Sequence, residues 1–149
     1  DYADAYNNIG SAYNQTGKFD SAQIALKKAI DIRPDYSLAK NNFQLAEKRK
    51  AHAKIFSDAI KSTHTEQAYL NLSLYFYNEG MYAKCIESAE EALQQNPKSA
   101  EAYNTICSAY NNLKKWDEAI DACQQALKLK PDFQLAKNNL NWAKSKKTK

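Results

Sequence analysis

Apolar and aromatic side chains recur along most of the chain with the spacing of amphipathic helices. In the first segment Tyr6, Ile9 and Tyr13 stand at i, i+3 and i+7, which places them on one face of a helix. Valine, a residue that favours strands, is absent. The three prolines stand far apart, at Pro34, Pro97 and Pro131. The sequence therefore predicts an all-α protein with long helices between the prolines.

The chain repeats itself at two intervals. Residues 38–42 recur unchanged as residues 135–139, which is 97 positions later, and residues 4–9 recur with two changes as residues 101–106, with the same offset. A shorter period of 34 residues separates Pro97 from Pro131. The two ends of the chain are therefore copies of one unit, and the shorter period predicts stacked helix pairs.

The repeated positions resemble those of the tetratricopeptide repeat family, which has an aromatic residue, Leu-Gly and Tyr in one helix and Ala, an aromatic, Ala and Pro in the next. The matching positions in residues 3–36 are Tyr6, Ile9, Gly10, Tyr13, Ala22, Leu26, Ala29 and Pro34. Those in residues 66–99 are Tyr69, Leu72, Ser73, Phe76, Cys85, Ala89, Ala92 and Pro97. Those in residues 100–133 are Tyr103, Ile106, Cys107, Tyr110, Ala119, Cys123, Ala126 and Pro131. Ala89 and Cys123 depart from the pattern, because they are small where an aromatic is usual.

This resemblance implies a tetratricopeptide-type α-solenoid, a right-handed superhelix of antiparallel helix pairs. Gly17 and Gly80 are placed to end the first helix of their repeats in the left-handed conformation. Asp20, with Gln23 three residues later, is placed to cap the second helix. Lys114 stands where the third repeat should have its glycine, which predicts a different or strained turn there.

The segment between the first two repeats, residues 37–65, has no Gly or Pro to break a helix. We predict one long linking helix from about Ser37 to Ile60. The alternative is a shortened repeat with a tight turn near Lys50. Residues 134–149 are predicted to form a capping helix with a basic tail, as the terminal part of a repeat array requires a polar outer face.

In arrays of this family the first helix of each repeat lines a concave groove, and here those helices are rich in asparagine. The resemblance implies a peptide-binding groove formed by Asn7, Asn8, Asn14, Asn42, Leu70, Asn71, Leu74, Tyr77, Asn104, Asn111 and Asn139. A row of amides resembles the asparagine ladders of such superhelices, and it can pair with the backbone of an extended peptide. Thr105 interrupts the row, and the apolar patch of Leu70, Leu74 and Tyr77 suits a hydrophobic side chain. The other interpretation is that the asparagines only tolerate exposed positions or join neighbouring helices.

One branch of the family binds chaperone tails through Lys, Asn and Arg that clamp a carboxylate. The corresponding positions here hold Asn7, Ser11, Asn42, Leu70, Leu74 and Thr105. Because none of them is Lys or Arg, the sequence argues against a ligand ending in Glu-Glu-Val-Asp.

Catalytic, metal and cofactor motifs are not found in the sequence. His52 and His64 stand alone in polar surroundings and are interpreted as solvated. The odd number of cysteines, without a CxxC spacing, predicts small buried thiols at Cys85, Cys107 and Cys123. We therefore expect no enzyme activity and no cofactor.

The net charge of +4 is concentrated at the C-terminal end. Its basic residues are Lys144, Lys146, Lys147 and Lys149, which we interpret as a solvated helix end. The basic residues do not alternate with aromatics along a face, so a nucleic-acid partner is not expected. No apolar run approaches the roughly 20 residues that span a bilayer.

The sequence as a whole predicts a protein-interaction scaffold that binds an extended peptide or partner segment. One alternative is a self-assembly module that uses the edge near Tyr2 and Tyr6. Another is a non-catalytic appendage of a larger membrane-anchored bacterial enzyme such as a glycosyltransferase, whose tetratricopeptide segments residues 70–147 resemble. The compartment stays open, with the cytoplasm as the default and the periplasm if the chain is a fragment of a membrane protein.

Overall fold

The structure, a computed structural model, describes residues 2–147. This part of the chain is entirely helical, which confirms the all-α fold class. The helices are α1 (Tyr2–Gln15), α2 (Phe19–Ile32), α3 (Ser37–Thr63), α4 (Glu66–Asn78), α5 (Tyr82–Gln95), α6 (Ala100–Asn112), α7 (Trp116–Leu129) and α8 (Gln134–Lys147). The chain divides into two compact units, unit 1 up to Ile55 and unit 2 from Phe56 onward. Lys149 of the predicted basic tail lies outside the described residues, as does residue 148.

The turns between the helices of each pair have the same conformation. Gly17, Gly80 and Lys114 all have positive φ, at 69°, 73° and 60°. Each backbone N–H bonds to the carbonyl three residues earlier, at 3.3, 3.0 and 3.2 Å. Of the two outcomes that the sequence left open for Lys114, the structure therefore has the strained turn. A residue with a Cβ in this region costs on the order of 1–2 kcal/mol relative to glycine.

The start of α2 differs from the sequence prediction. The helix begins at Phe19, which is buried, and Lys18 at the cap position makes no side-chain capping bond. Asp20 lies in the first turn of the helix and pairs with Lys50 of α3. The predicted capping box of Asp20 and Gln23 is therefore wrong, because the helix already begins one residue earlier, at the buried Phe19.

The segment that links the first two repeats is one uninterrupted helix. α3 (Ser37–Thr63) runs for 27 residues and has no turn at Lys50. In unit 1 its buried residues Ala39 and Ala46 join the core formed with α2. Thr65 then caps α4, since its side chain accepts a hydrogen bond from the N–H of Ala68.

One pair of positions in each helix pair shows how side-chain sizes are matched. The two residues stand 16 positions apart and all six are buried, namely Gly10 with Leu26, Ser73 with Ala89, and Cys107 with Cys123. A Cβ built on Gly10 would lie only 2.4 Å from Leu26 Cγ. In the first pair the residue on the first helix is therefore small and the residue on the second helix is large. In the two later pairs both residues are small. This explains why Ala89 and Cys123 depart from the family pattern.

A disulfide joins α6 to α7. Cys107 and Cys123 are bonded, while Cys85 is a buried free thiol whose pKa burial raises to about 12. The prediction of three free thiols is therefore wrong for two of them. The sequence signal for the bond was the separation of the two cysteines. Ser73 and Ala89, which face each other in the preceding repeat, have the same separation.

A bidentate ion pair ties α1 to the end of α2. The Arg33 guanidinium donates to Asp4 Oδ1 at 3.3 Å and to Oδ2 at 3.1 Å. The Arg33 bonds make the largest contribution to lowering the pKa of Asp4, and a hydrogen bond from the Tyr36 hydroxyl makes the next largest. The pKa of Asp4 falls to about 2. The unfolded carboxyl titrates near pH 4, at about 3.9. The stabilisation is therefore complete above about pH 4 and is lost as the pH falls toward 2.

We expect Asp4→Asn to remove this part of the acid sensitivity. Thermal unfolding of unit 1 should show a lower Tm than wild type at pH 6 and a similar Tm near pH 2. The exposed Asp132 offers a control, and Asp132→Asn should leave the difference between the two pH values as in wild type. A wild-type-like drop in Tm for Asp4→Asn would show that the pair does not act in this way.

Candidate functional site

Three helices of unit 2 form a groove along their shared surface. α6 packs beside both α4 and α8. A cavity of about 340 Å³ opens at one end, lined by Leu74, Tyr77, Asn104, Thr105, Ser108, Leu135 and Asn139. A cavity of about 730 Å³ continues at the other end, lined by Tyr77, Ser108, Asn111, Asn112, Lys114, Trp116, Asn139, Trp142 and Lys146. The two cavities share three residues, so we treat them as one site, the α4–α6–α8 groove.

An amide network fixes the floor of this groove. Asn139 Nδ2 donates to Asn104 Oδ1 at 3.0 Å and to Ser108 Oγ at 2.8 Å. Asn111 Nδ2 donates to the backbone carbonyl of Asn139 at 3.0 Å. Both N–H groups of Asn139 are thus used within the protein. Within residues 2–147 this leaves Asn104 Nδ2 as a donor and Asn139 Oδ1 as an acceptor at the surface of the groove.

The same network occurs in unit 1, between α1 and α3. Asn42 Nδ2 donates to Asn7 Oδ1 at 2.9 Å, and Asn14 Nδ2 donates to the Asn42 carbonyl at 2.9 Å. Asn7 and Asn14 are each only 3% exposed, and Asn111 in unit 2 is 7% exposed. These three amides join neighbouring helices, as in the alternative that the sequence left open for the asparagines, and Asn111 also lines the larger cavity.

The network leaves one acceptor unsatisfied in each unit. In the described part of the chain, the Oδ1 atoms of Asn14 and Asn111 are buried without a hydrogen-bond partner. Each such atom costs about 1–3 kcal/mol. The two asparagines stand 97 residues apart, so the feature belongs to the duplicated unit.

The α4–α6 boundary lacks this network. Leu70, Thr105 and Tyr77 take the three places that asparagines occupy at the other two boundaries. The Thr105 hydroxyl donates to the Glu101 carbonyl of its own helix, and Asn112 Nδ2 donates to the Tyr77 hydroxyl at 3.1 Å. At this boundary the residues of both α4 and α6 in these places differ from asparagine. The interruption of the asparagine row and the apolar patch are therefore two sides of the same change.

The remaining predicted residues lie at the surface. Asn8 is exposed on α1 in unit 1, outside the α4–α6–α8 groove. Asn71 is exposed on α4 and accepts a hydrogen bond from Gln67 Nε2 at 2.9 Å. Leu74 is 55% exposed and lines the smaller cavity. Sequence reasoning thus brought together part of the lining, but it spread the site over both units.

Sequence reasoning missed the end of the groove formed by the α6–α7 turn and α8. The charged residues that line this end are two lysines, Lys114 and Lys146. Lys146 Nζ lies 4.4 Å from the centroid of the Trp142 ring, within range for a cation–π interaction. Trp116 lines the same cavity. Both tryptophans of the chain therefore stand at one end of the groove.

Residues 2–147 contain no group of three His, Cys, Asp or Glu side chains placed to hold a metal ion. Their helices include none with the length and apolar character needed to cross a membrane.

Comparison with protein families identifies the repeats. Family models of the tetratricopeptide repeat match residues 3–36, 66–99 and 100–133, which together make up more than half of the chain. The unmatched residues include all of α3 and all of α8.

Among curated proteins, the chain is similar to peroxisomal targeting signal receptors of yeasts. It is 37% identical to the receptor of Saccharomyces cerevisiae over 79 residues, which is 53% of this chain and 13% of that protein. It is 28% identical to the receptor of Candida glabrata over 138 residues, 87% of this chain and 23% of that protein. The chain thus spans less than a quarter of the length of these relatives.

Among solved structures, the chain is similar to the first tetratricopeptide domain of Spaghetti (RPAP3) bound to the HSP90 peptide SRMEEVD. The TM-score is 0.56 at 18% identity, and the match covers 99% of this chain and 94% of that one. At this level of identity the similarity shows the fold, and it confirms the predicted solenoid type.

Proposed function

This chain belongs to the tetratricopeptide repeat family, and from that premise we propose that its α4–α6–α8 groove binds an extended peptide segment of a partner protein. The family and fold are typically those of non-catalytic interaction domains. Two similar proteins support the proposal by what their names state, since one is a receptor for a targeting signal and the other holds a peptide.

The observation that carries the proposal is the pair of amide groups left over on the groove floor. Asn104 Nδ2 can donate and Asn139 Oδ1 can accept, on side chains that hydrogen-bond to each other at 3.0 Å. A peptide residue presents one C=O and one N–H, so an extended backbone can satisfy both groups whatever its side chains. Each new bond contributes about 0.5–1.5 kcal/mol.

The apolar end of the groove supplies a place for a hydrophobic side chain. Leu74 and Leu135 are 55% and 61% exposed and line the same cavity, beside Tyr77. Burying such side chains contributes about 25 cal/mol per Å² of apolar surface. With the backbone bonds, this supports an affinity near micromolar, which corresponds to roughly −8 kcal/mol.

The duplicated sequence provides a matched pair of variants to test this site. Asn139→Ala removes the amide in the groove, while Asn42→Ala removes its copy from unit 1. Both should destabilise their own unit by a similar amount, about 1–3 kcal/mol, because each leaves partly buried hydrogen-bonding groups unpaired. Only Asn139→Ala should weaken binding, by about tenfold. The measurement is fluorescence anisotropy with decapeptides that wild-type protein selects from a random display library.

The comparison of these two variants decides the proposal. Equal affinity of Asn139→Ala and wild type for the selected peptides would contradict it, as would a library from which the folded protein selects nothing. Weakening by Asn42→Ala to the same extent would move the binding site out of the α4–α6–α8 groove.

Self-association is a second candidate function, favoured by one difference between the two units. Ile9 on α1 is 46% exposed, whereas its copy Ile106 on α6 is 6% exposed in unit 2, where α5 packs against α6. Ile9 lies in an apolar hollow of about 280 Å³ with Tyr6, Tyr13 and Ile24. A helix of a second copy would find in this hollow the kind of surface that α5 covers in unit 2.

We expect this hollow to control any self-association. If wild-type protein shows a mass above that of a monomer in light scattering, Ile24→Glu should return it to the monomer mass, because a charge would enter an apolar contact. A wild-type protein that stays monomeric across a concentration range would rule out this second function. The appendage of a larger bacterial enzyme stays a prediction of the sequence.

A further inference from the structure

The turn between α6 and α7 has a backbone conformation that its residue does not favour. Lys114 has φ of 60°, at the place where the other two helix pairs have Gly17 and Gly80. Its N–H bonds to the Asn111 carbonyl at 3.2 Å, as the glycines bond to their own turns. A glycine would satisfy the same turn without strain. Strained residues of this kind cluster at functional sites in proteins, and the side chain of Lys114 lines the groove.

The charges around Lys114 are unbalanced. Its neighbour Lys115 pairs with Glu118 at 3.9 Å, and Lys147 pairs with Asp117. Lys114 and Lys146, in contrast, have no acidic partner among residues 2–147. No acidic side chain lines the larger cavity in this part of the chain. The cavity therefore presents positive charge to whatever enters it.

From these observations we infer that this end of the groove binds a carboxylate, so that the ligand of the proposed peptide site is an acidic peptide. A carboxylate between Lys114 and Lys146 would gain charge-assisted hydrogen bonds in a partly enclosed site. The two lysines stand at helix ends. They do not occupy the groove positions at which the chaperone-binding branch of the family clamps a carboxylate. The carboxylate can belong to an Asp or Glu side chain or to the end of the chain.

The inference also gives the peptide an arrangement. The groove has an apolar end with Leu74 and Leu135 and a cationic end with Lys114 and Lys146. The two ends share Tyr77, Ser108 and Asn139. A ligand that fills both ends therefore has an apolar side chain near one end and an acidic group near the other. This inference rests on the proposed peptide binding, and it fails separately if peptides bind without regard to charge.

Synthetic decapeptide pools free of tryptophan test the charge preference. The pools are random except for Glu-Glu, Gln-Gln or Lys-Lys at the first two or the last two positions, and each is made with a free and with an amidated C-terminus. Binding is followed by anisotropy of an attached fluorophore and by the fluorescence of Trp116 and Trp142, which report on the cationic end. We expect a Glu-Glu pool to bind about tenfold more tightly than the matching Gln-Gln pool and to change the tryptophan emission. The free and amidated forms distinguish a side-chain carboxylate from a chain terminus.

Lys114→Gly separates recognition from structure. It should raise the Tm by about 2–4 °C, because it relieves the turn, and it should remove most of the Glu-Glu preference. The control Lys128→Gln removes an exposed lysine of α7 outside the groove and should change neither property. A raised Tm with an unchanged Glu-Glu preference would overturn the inference, as would equal affinity of the wild type for the Glu-Glu and Gln-Gln pools. Absence of binding by every pool would instead count against peptide binding itself.

Discussion

Replacing Gly10 by Ser should destabilise unit 1 by about 1–3 kcal/mol, as expected for overpacking of a core. The added Cβ would lie 2.4 Å from Leu26 Cγ and 2.8 Å from Cδ2, and Leu26 is fully buried. Helix propensity alone would favour Ser over Gly by roughly 0.5 kcal/mol, so the two effects have opposite sign. Urea unfolding followed by the helical signal measures the difference.

The partner substitution shows whether contact with Leu26 is the cause. Leu26→Ala alone should cost about 2–5 kcal/mol through the cavity that it leaves. The double variant Gly10→Ser, Leu26→Ala recreates the pair Ser73 and Ala89, which packs in the next helix pair. It should therefore lose less than the sum of the two single variants, by about 0.5–3 kcal/mol. Strict additivity would show that the two residues do not compete for the same space.

Reducing the disulfide should lower the stability of unit 2 by about 3 kcal/mol, the loop-closure effect of a bond that joins residues 16 positions apart. The bond connects Cys107 on α6 with Cys123 on α7, both fully buried. Thermal unfolding with and without a phosphine reductant measures the loss. Thiol titration of the unfolded, unreduced protein should find one free thiol, that of Cys85.

A double variant provides the control for the disulfide. Cys107→Ser with Cys123→Ala copies the Ser73 and Ala89 pair of the preceding repeat, so its packing has a precedent in the same chain. Its Tm should not respond to reductant. Three titratable thiols in wild-type protein, together with a Tm that ignores reductant, would contradict the bond.

The fold could be predicted from the sequence because its signal is repeated. Aromatic residues recur at fixed offsets at the positions of Tyr6 and Tyr13, and small residues recur at the position of Gly10, which specifies helix pairs that no single segment would establish. The start of α2 could not be predicted, because it depends on the burial of Phe19, which decides between two neighbouring start sites. The disulfide was missed because counting cysteines ignores which positions of a helix pair face each other.

The candidate site was predicted less well, because the sequence does not distinguish an asparagine that lines a groove from one that joins two helices. The direction of the Asn14 side chain depends on the backbone carbonyl of Asn42. Helix α3 places this carbonyl oxygen 2.9 Å from Asn14 Nδ2. No local pattern shows that contact. Lys146 was interpreted as part of a solvated tail, since its neighbour Trp142 becomes part of a cavity only when α8 packs beside α6.

The most direct test of peptide binding in unit 2 is an NMR titration of the asparagine side-chain amides with a selected decapeptide. We expect the amide signals of Asn104, Asn112 and Asn139, which line the groove, to shift with the fraction bound. Those of Asn7 and Asn14, buried in unit 1, should stay unchanged. Binding that shifts signals of unit 1 and leaves the three groove amides where they were would contradict the account.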